Sequence, residues 1–378
     1  MLKLQILYTI YYFSLGSSII YFSGYFNSIG IEGKTIGMIF SIGSLLAMVT
    51  QPLLGFIADK SRKPLLVLTL LLIIMAFSMS ILYLTLNIKI IYLTYVLYSI
   101  AIWGIMPLLD GIVLSSGHDF GKVRMFGSVG FAIGCFFTGI IMEKYGKSSF
   151  IILTVITSIL SLVSAKSLDK VNEKEHDRAS LKDIGEIFSN SPYLIFLIFA
   201  MVISGAVTTF NAFCSIYFFK IGSSAKLLGI TVMIFTLCEI PFMYCTKMVV
   251  EKFGLKNSLV FSGWMFALRW GIYYLLPYPG AVVGTFFIHG LSSGLYFSLS
   301  SMYISNIVSK KVLSTAITTF MAAGTLGGTV LQYISGRIID SYGVITIFLL
   351  LSTISVLSTI LLKKFKKKEK LKKQRILN

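Results

Sequence analysis

The stretch Leu227–Val249, LLGITVMIFTLCEIPFMYCTKMV, decides the fold, because it is long and apolar enough to cross a bilayer yet carries a carboxylate, Glu239, near its middle. The next two apolar runs each carry one further ionisable residue, Arg269 and His289. A charge at the centre of a bilayer costs about 2.5–3.5 kcal/mol on insertion scales, so such residues indicate function. Three of them on consecutive spans, with complementary signs, predict a neutralised cluster inside a helical bundle.

The composition is that of an integral membrane protein, because 56% of the 378 residues are hydrophobic. The net charge of +18 lies beside apolar runs and in a basic tail. This placement favours contact with anionic lipid and argues against nucleic-acid binding. The four cysteines fall inside apolar runs, so we expect neither a disulfide framework nor a metal site.

Counting apolar runs predicts an all-α membrane protein with twelve transmembrane helices in two six-helix bundles. The runs lie near 5–29, 36–58, 65–86, 90–114, 124–142, 149–165, 193–219, 227–249, 258–276, 281–307, 313–336 and 344–362. The predicted organisation is an N-terminal bundle (1–165), a cytoplasmic linker (166–191), a C-terminal bundle (192–364) and a polybasic cytoplasmic tail (365–378).

The distribution of basic residues predicts the orientation. If both termini and the linker share one side, that side carries 25 Lys and Arg residues and the opposite side carries seven, with Arg269 inside the membrane. The excess places both termini in the cytoplasm.

The two halves of the chain resemble each other. Gly37 and Gly229 open spans at an offset of 192 residues, and the octapeptide GIIMEKYG at 139–146 returns as GRIIDSYG at 336–343. Two six-span repeats predict a pseudo-twofold axis along the membrane normal, with a binding site between the halves. The alternative is chance similarity between apolar strings.

A polar segment between the second and third spans, GFIADKSRK at 55–63, is a candidate gating loop. Its glycine allows close helix approach, and its acid could accept hydrogen bonds from basic residues or from a helix end. An ordinary stop-transfer charge cluster is the alternative. The segment resembles the loop of the major facilitator superfamily, without the glycine usual before the last basic pair. The residues assigned to gating are Gly55, Asp59, Lys60 and Arg62.

Two longer blocks sharpen this resemblance. The stretch from Gly37 to Lys60, with Gln51-Pro52 and Ala58-Asp59, and the block FGKVRMFGSVGF at 120–131 are similar to the oligosaccharide:proton symporter family, which includes lactose permease. Leu268-Arg269-Trp270 and Ile288-His289-Gly290 also resemble the related phenylpropionate-transporter branch. The similarity covers nearly the whole chain and implies a twelve-helix secondary transporter without a cofactor.

The resemblance implies a solute site in the first half. Arg124 matches the arginine that binds sugar hydroxyls, and its planar fork of donors suits vicinal hydroxyls or a carboxylate. Asp110 matches the acid that pairs with this arginine, Ser128 a small residue beside the cavity, and Phe131 an aromatic residue that stacks on the sugar. The alternatives are a flanking charge for Arg124, and helix packing for the other three.

In the second half, Glu239 matches the acid that links sugar binding to protonation, and it belongs to both the solute site and proton coupling. His289 is assigned to the same two roles. Arg269 matches the arginine that discharges the proton carrier. Their alternatives are a structural ion pair, a packing histidine and a static counter-ion.

The sequence departs from the family at the proton carrier. Ser292 stands where lactose permease has its proton-carrying glutamate, and serine does not titrate near neutral pH. Phe286 and Asn211 replace a lysine–aspartate pair together, which keeps the charge balance, and Phe242 replaces an asparagine near the sugar. A cavity with these phenyl groups also suits an aromatic solute.

The leading hypothesis is a bacterial cell-membrane transporter that imports a small polar solute, a sugar or oligosaccharide, by proton symport, as a monomer in the lipid bilayer. Transport of an aromatic carboxylate and a non-transporting receptor of the same fold are the alternatives. We do not expect an enzyme, because the chain has no nucleophile–base pair, metal cluster or phosphate loop.

Overall fold

The structure, a computed structural model, describes residues 1–61, 63–116, 118–168, 190–309 and 312–364, without the side chains of Asp59 and Ser314. The predicted linker and polybasic tail lie almost entirely outside the described residues, as does Arg62. The first half contains α1 (Leu2–Ser18), α2 (Phe22–Ser28), α3 (Gly33–Ser61), α4 (Pro64–Leu84), α5 (Ile88–Ser115), α6 (Phe120–Tyr145) and α7 (Ser149–Lys166). The second contains α8 (Ser191–Lys220), α9 (Ala225–Phe253), α10 (Leu255–Leu275), α11 (Pro279–Gly284), α12 (Phe286–His289), a π-helical turn (Gly290–Gly294), α13 (Leu295–Ile307), α14 (Leu313–Tyr342) and α15 (Thr346–Lys364).

These helices form the expected all-α fold of twelve crossings in two six-helix bundles. Within the described ranges, nine stretches are long and apolar enough to cross a bilayer unaided, counting α1 with α2 as one. The other three crossings are α10, which carries the buried Arg269, α14, which is rich in glycine, serine and threonine, and the segment from α11 to α13. This tenth crossing differs from the expected continuous helix, because it breaks at Thr285 and again at the π turn.

Local sequence explains where several helices begin and end. Side chains of Asn87, Asp119, Asn190 and Ser224 accept hydrogen bonds from the backbone of the first helical turn that follows each of them. Such caps satisfy amide groups that have no partner inside the helix. Three helices end at glycines with positive φ, a conformation that other residues adopt only with strain: Gly146, Gly254 and Gly343.

The two halves meet through four glycines at the end of the bundle away from Leu2 and Lys364. α3 packs on α14, and α6 packs on α9. A Cβ atom added at any of these glycines would lie within 2.5 Å of a carbonyl oxygen of the other half: Gly37, Gly139, Gly229 and Gly336. They are the landmarks of the internal repeat, so the repeated positions form one interface. We call this the closed end.

Two carboxylates from the repeated octapeptides also cross this interface. Asp340 accepts hydrogen bonds from the backbone amides of Gly33 and Lys34, each at 2.7 Å. Glu143 accepts one from the amide of Lys226 at 3.1 Å. Each acid of one half therefore caps the first turn of a helix of the other half, α3 or α9, where the helix dipole favours negative charge.

The halves part towards the opposite end, which we call the terminal end because Leu2 and Lys364 lie there. An added Cβ at Gly55 in α3 or at Gly111 in α5 would meet no atom within 4 Å. The side chains of Arg124 and Asp110 are partly exposed near this end. The glycine contacts and the acid caps between the halves therefore lie at the closed end.

Candidate functional site

A tyrosine pair on α1 holds the two charged groups of the first half. The hydroxyl of Tyr8 donates to the carboxylate of Asp110 at 2.6 Å. The guanidinium of Arg124 lies over the ring of Tyr12, 4.6 Å from its centroid. The two rings are one helical turn apart and stack, with centroids 5.8 Å apart. We call these four residues the N-half cluster.

The expected ion pair between Asp110 and Arg124 is not formed in the described chain. Instead, the hydroxyl of Tyr8 donates a hydrogen bond to the carboxylate of Asp110, and the ring of Tyr12 binds the guanidinium of Arg124 by a cation–π contact. Gly127 makes room for this arrangement, since a Cβ there would lie 2.9 Å from the ring of Tyr12. Tyr8 was not expected in the site, and its one-turn spacing from Tyr12 is the signal that could have indicated it.

Ser128 and Phe131 extend this site along α6. They follow Arg124 by four and seven residues, so the three side chains share one face of the helix. Ser128 is exposed and Phe131 is half-buried. Their predicted roles, a small residue beside the cavity and a stacking surface for the solute, agree with these positions and stay predictions.

The second half brings its three ionisable residues into direct contact. His289 Nε2 lies 2.9 Å from a carboxylate oxygen of Glu239. On its other side, His289 Nδ1 is hydrogen-bonded to a terminal nitrogen of Arg269. The sequence predicted this neutralised cluster, and the structure arranges it as a chain from Arg269 through His289 to Glu239. We call these three residues the C-half cluster.

This chain fixes the protonation of the imidazole by simple chemistry. An arginine is always charged and can only donate, so His289 Nδ1 must accept. A neutral imidazole that accepts at Nδ1 carries its proton on Nε2, which donates to Glu239. The cluster therefore contains one cation, one neutral ring and one anion, and a second proton on His289 would break its bond to Arg269.

Arg269 is fully buried among aromatic rings. Its guanidinium lies 4.2 Å from the ring centroid of Trp270 and 5.1 Å from that of Phe266. Ser293 accepts a weaker hydrogen bond from it at 3.4 Å. Two of its nitrogens, Nε and Nη2, have no hydrogen-bond partner in the described chain. The aromatic faces stabilise the charge, but a buried cation with spare donors keeps the capacity to change partners.

The π turn begins directly after His289. Its two end glycines allow close packing on α9, since a Cβ at Gly290 would meet the ring of Phe242 at 2.3 Å and one at Gly294 would meet the backbone of Glu239 at 2.8 Å. The ring of Phe235 stacks on the imidazole with centroids 4.5 Å apart. A single π turn often marks a functional site, and here it fixes the imidazole beside the acid.

The two clusters lie at the same depth on facing helices. α6 and α9 run antiparallel, and Gly229 meets the backbone of Cys135 at the closed end. Glu239 lies ten residues after Gly229 along α9. Met125, next to Arg124, lies ten residues before Cys135 along α6. Each stretch covers about 15 Å from the contact. Glu239 and Arg124 therefore lie at about the same depth, on helices of opposite halves.

The candidate gating loop is described only in part. Gly55 faces open space, and the ammonium of Lys60 lies 5.8 Å from the ring centroid of Phe56. Arg62 and the side chain of Asp59 lie outside the described residues. The gating role of Gly55, Asp59, Lys60 and Arg62 therefore stays a prediction.

The polar groups in this region suit neither a metal ion nor a disulfide. In the described part of the chain, no group of three or more His, Cys, Asp or Glu residues could hold a metal. All four cysteines are free, and Cys135 and Cys214 are fully buried.

Comparison with known proteins agrees with this architecture. The sequence model of the MFS_1 like family matches residues 1–376. The chain belongs to this family. It is thus a major facilitator transporter, a multi-pass membrane protein and not an enzyme.

This transporter is similar to characterised and uncharacterised proteins of comparable length. It is 25% identical to the uncharacterized transporter YwbF of Bacillus subtilis, over 86% of this chain and 83% of the relative. It is 23% identical to a maltose permease of Geobacillus stearothermophilus, over 90% and 88%. The fold matches the crystal structure of the nucleoside transporter NupG with a TM-score of 0.84 at 19% identity, over 97% of this chain and 99% of that one.

Proposed function

We propose that this transporter imports a small polyhydroxylated solute, a sugar or oligosaccharide, together with a proton. The observation that carries the proposal is the position of the two clusters, which lie at about one depth on helices of opposite halves that pack on each other. The residues assigned to the solute are Asp110, Arg124, Ser128, Phe131, Glu239 and His289. Those assigned to the proton are Glu239, Arg269 and His289.

The N-half cluster suits vicinal hydroxyl groups. Asp110 keeps one carboxylate oxygen that accepts no bond from the described chain, and Arg124 keeps its fork of donors without an ion pair. A diol can donate to the first and accept from the second, which a group with only one of these capacities cannot do. The maltose permease and the nucleoside transporter among the similar proteins support a solute of this type.

The C-half cluster supplies a path for the proton without the family's glutamate. Ser292 is fully buried and donates to the carbonyl of His289, so it does not replace that acid. Glu239 is the acid of the cluster, and its side chain is 28% exposed, so a proton can reach it from the cleft. Protonation of Glu239 removes the anion that accepts the hydrogen bond of His289. The hydrogen bonds from Glu239 through His289 to Arg269 can then rearrange.

Rocking of the two bundles would give alternating access. The excess of basic residues at the terminal end supports an orientation with that end and both termini on the cytoplasmic side of a bacterial cell membrane. In this orientation the closed end faces outwards and the terminal end faces the cytoplasm. The transporter acts as a monomer, because the proposed site lies between its own two halves.

Transport of an aromatic carboxylate is the second candidate. Arg124 forms no ion pair with a carboxylate of the described chain, and the phenyl group of Phe131 lies on the same helix face. A carboxylate on the solute would form an ion pair with the guanidinium of Arg124. A probable 3-phenylpropionic acid transporter of Escherichia coli is 22% identical over 70% of this chain.

Uptake into proteoliposomes tests both candidates. Labelled maltose, raffinose and lactose are offered with an imposed inside-alkaline pH gradient, and unlabelled 3-phenylpropionate is added as a competitor. Sugar uptake that rises with the gradient and alkalinises the external medium supports symport. Block by phenylpropionate favours the second candidate. Sugar uptake without a pH change favours uniport or another ion, and no uptake of any of these solutes favours a receptor.

A further inference from the structure

We propose that Tyr8 and Tyr12 keep Asp110 and Arg124 apart, so that both stay available to the solute, and that the hydroxyl of Tyr12 is a further solute contact. The second half of this proposal rests on the proposed transport of a polyhydroxylated solute. The first half concerns the empty protein and does not. Tyr8 acts here as a positioning residue, because it reaches the solute only through Asp110.

The geometry shows how the tyrosines separate the charges. Opposite charges in a low-dielectric cleft attract strongly, and Asp110 and Arg124 lie on adjacent helices of one bundle. Each is nevertheless held by a different ring, Asp110 by the hydroxyl of Tyr8 and Arg124 by the face of Tyr12. Stacking of the two rings fixes the distance between those two contacts.

The hydroxyl of Tyr12 supplies an independent observation. The side chain is only 5% exposed, yet its oxygen forms no hydrogen bond of good geometry in the described chain, and the guanidinium of Arg124 is the polar group beside it. A buried hydroxyl without a partner costs free energy, so such groups are rare in native structures. Its neighbours on α1 differ, because Tyr8 bonds to Asp110 and Tyr11 to the carbonyl of Ile102. A hydroxyl that is held only loosely beside Arg124 indicates a contact that the solute completes.

The reactivity of Arg124 tests the separation without any solute. Purified protein is treated with phenylglyoxal, which modifies arginine, and the adduct at Arg124 is followed by mass spectrometry with the exposed Arg337 as internal reference. We expect modification in the wild type. In Tyr8→Phe the carboxylate is released, pairs with the guanidinium and lowers the rate several-fold. Adding Asp110→Asn to Tyr8→Phe should restore the rate.

Tyr11→Phe is the matched control, because it removes a hydroxyl from the same helix that bonds only to a backbone carbonyl. It should leave the Arg124 rate unchanged. Tyr12→Leu should lower this rate as Tyr8→Phe does, since Arg124 then loses its aromatic partner and can reach Asp110. An unchanged rate in both Tyr8→Phe and Tyr12→Leu overturns the separation, as does failure of Asp110→Asn to restore it.

The solute contact is tested separately with maltose as the probe. Tyr12→Phe keeps the ring and should leave the Arg124 rate as in the wild type, while maltose uptake shows a KM raised about tenfold at little change in maximal rate. An unchanged KM overturns the contact. If wild-type protein takes up no maltose and maltose does not protect Arg124 from phenylglyoxal, the proposed function fails for this sugar, and so does the proposed solute contact. The modification rates of Arg124 in the empty protein still test whether the tyrosines keep Asp110 and Arg124 apart.

Discussion

The carboxylate of Asp340 on α14 accepts a hydrogen bond of 2.7 Å from the backbone amide of Gly33 at the start of α3. This bond crosses the interface between the two halves. The related acid Glu143 does the same for α9, through the amide of Lys226. These two bonds must break when the closed end opens. Because they are related by the internal repeat, both helices that line the interface are held from the opposite half.

Neutralising both acids should therefore favour opening of the closed end. Asparagine and glutamine keep an acceptor oxygen but lose the attraction between a charge and a helix start. For Glu143→Gln with Asp340→Asn we expect the alkylation rate of Cys135, which is fully buried under this interface, to rise roughly two- to five-fold. The rate is measured on the Cys135 peptide with N-ethylmaleimide.

Glu251→Gln is the matched control for this prediction. Glu251 lies at the other end of α9, where it forms only an exposed pair with Lys247 at 4.0 Å. Its neutralisation should leave the Cys135 rate unchanged. A similar increase in this variant would mean that net charge, and not the two caps, controls opening.

Gly336→Ala should separate the halves by steric contact alone. The added methyl group would lie 2.5 Å from the carbonyl oxygen of Gly33 and 2.9 Å from Gly37 Cα, both backbone atoms that cannot rotate away. We expect faster alkylation of Cys135, by more than the charge variant achieves. Gly284→Ala is the control, because a Cβ there meets no atom within 4 Å. Equal rates in the two alanine variants would contradict the contact.

The sequence predicts some parts of this site and not others for physical reasons. Glu239, Arg269 and His289 are conspicuous because ionisable residues are rare in apolar spans, and they do form one cluster. The partner of Asp110 could not be predicted, since it depends on the side-chain direction of Tyr8. The one-turn spacing of Tyr8 from Tyr12 indicates a shared helix face but not the partner of that face, and tyrosines near span ends are also common in the membrane interface.

The π turn at Gly290–Gly294 was also beyond prediction. Its residues, GLSSG, fit any helical periodicity, and only packing against Phe242 and Glu239 shows why a wider turn forms. The stacking of Phe235 on His289 depends on the same packing. Patterns along one helix therefore predict which residues are buried, but contacts between helices decide their partners.

Removing Arg269 alone should destabilise the protein more than removing Arg269 together with the charge of Glu239. Deleting one member of a fully buried, directly bonded ion pair costs about 3–5 kcal/mol, and less is expected here because Arg269 reaches Glu239 only through His289 and the Glu239 side chain is 28% exposed. We expect Arg269→Leu to lower the midpoint of thermal unfolding in detergent. Adding Glu239→Gln should recover part of the loss, because no unpaired anion remains. No recovery would indicate that Arg269 acts through packing on Trp270 alone.

Glu239→Gln should separate solute movement from proton coupling. Glutamine can still accept a hydrogen bond from His289 Nε2, so the cluster and the solute contacts persist, but it cannot bind or release a proton. We expect exchange of labelled sugar across proteoliposomes at equal concentrations to continue, while accumulation driven by a pH gradient falls at least tenfold. Asp119→Asn, which changes an exposed helix cap and an exposed pair with Lys122, should leave both unchanged. Accumulation that survives in Glu239→Gln would assign the proton to another acid, and Asp110 is then the candidate, since it is the carboxylate of the N-half cluster.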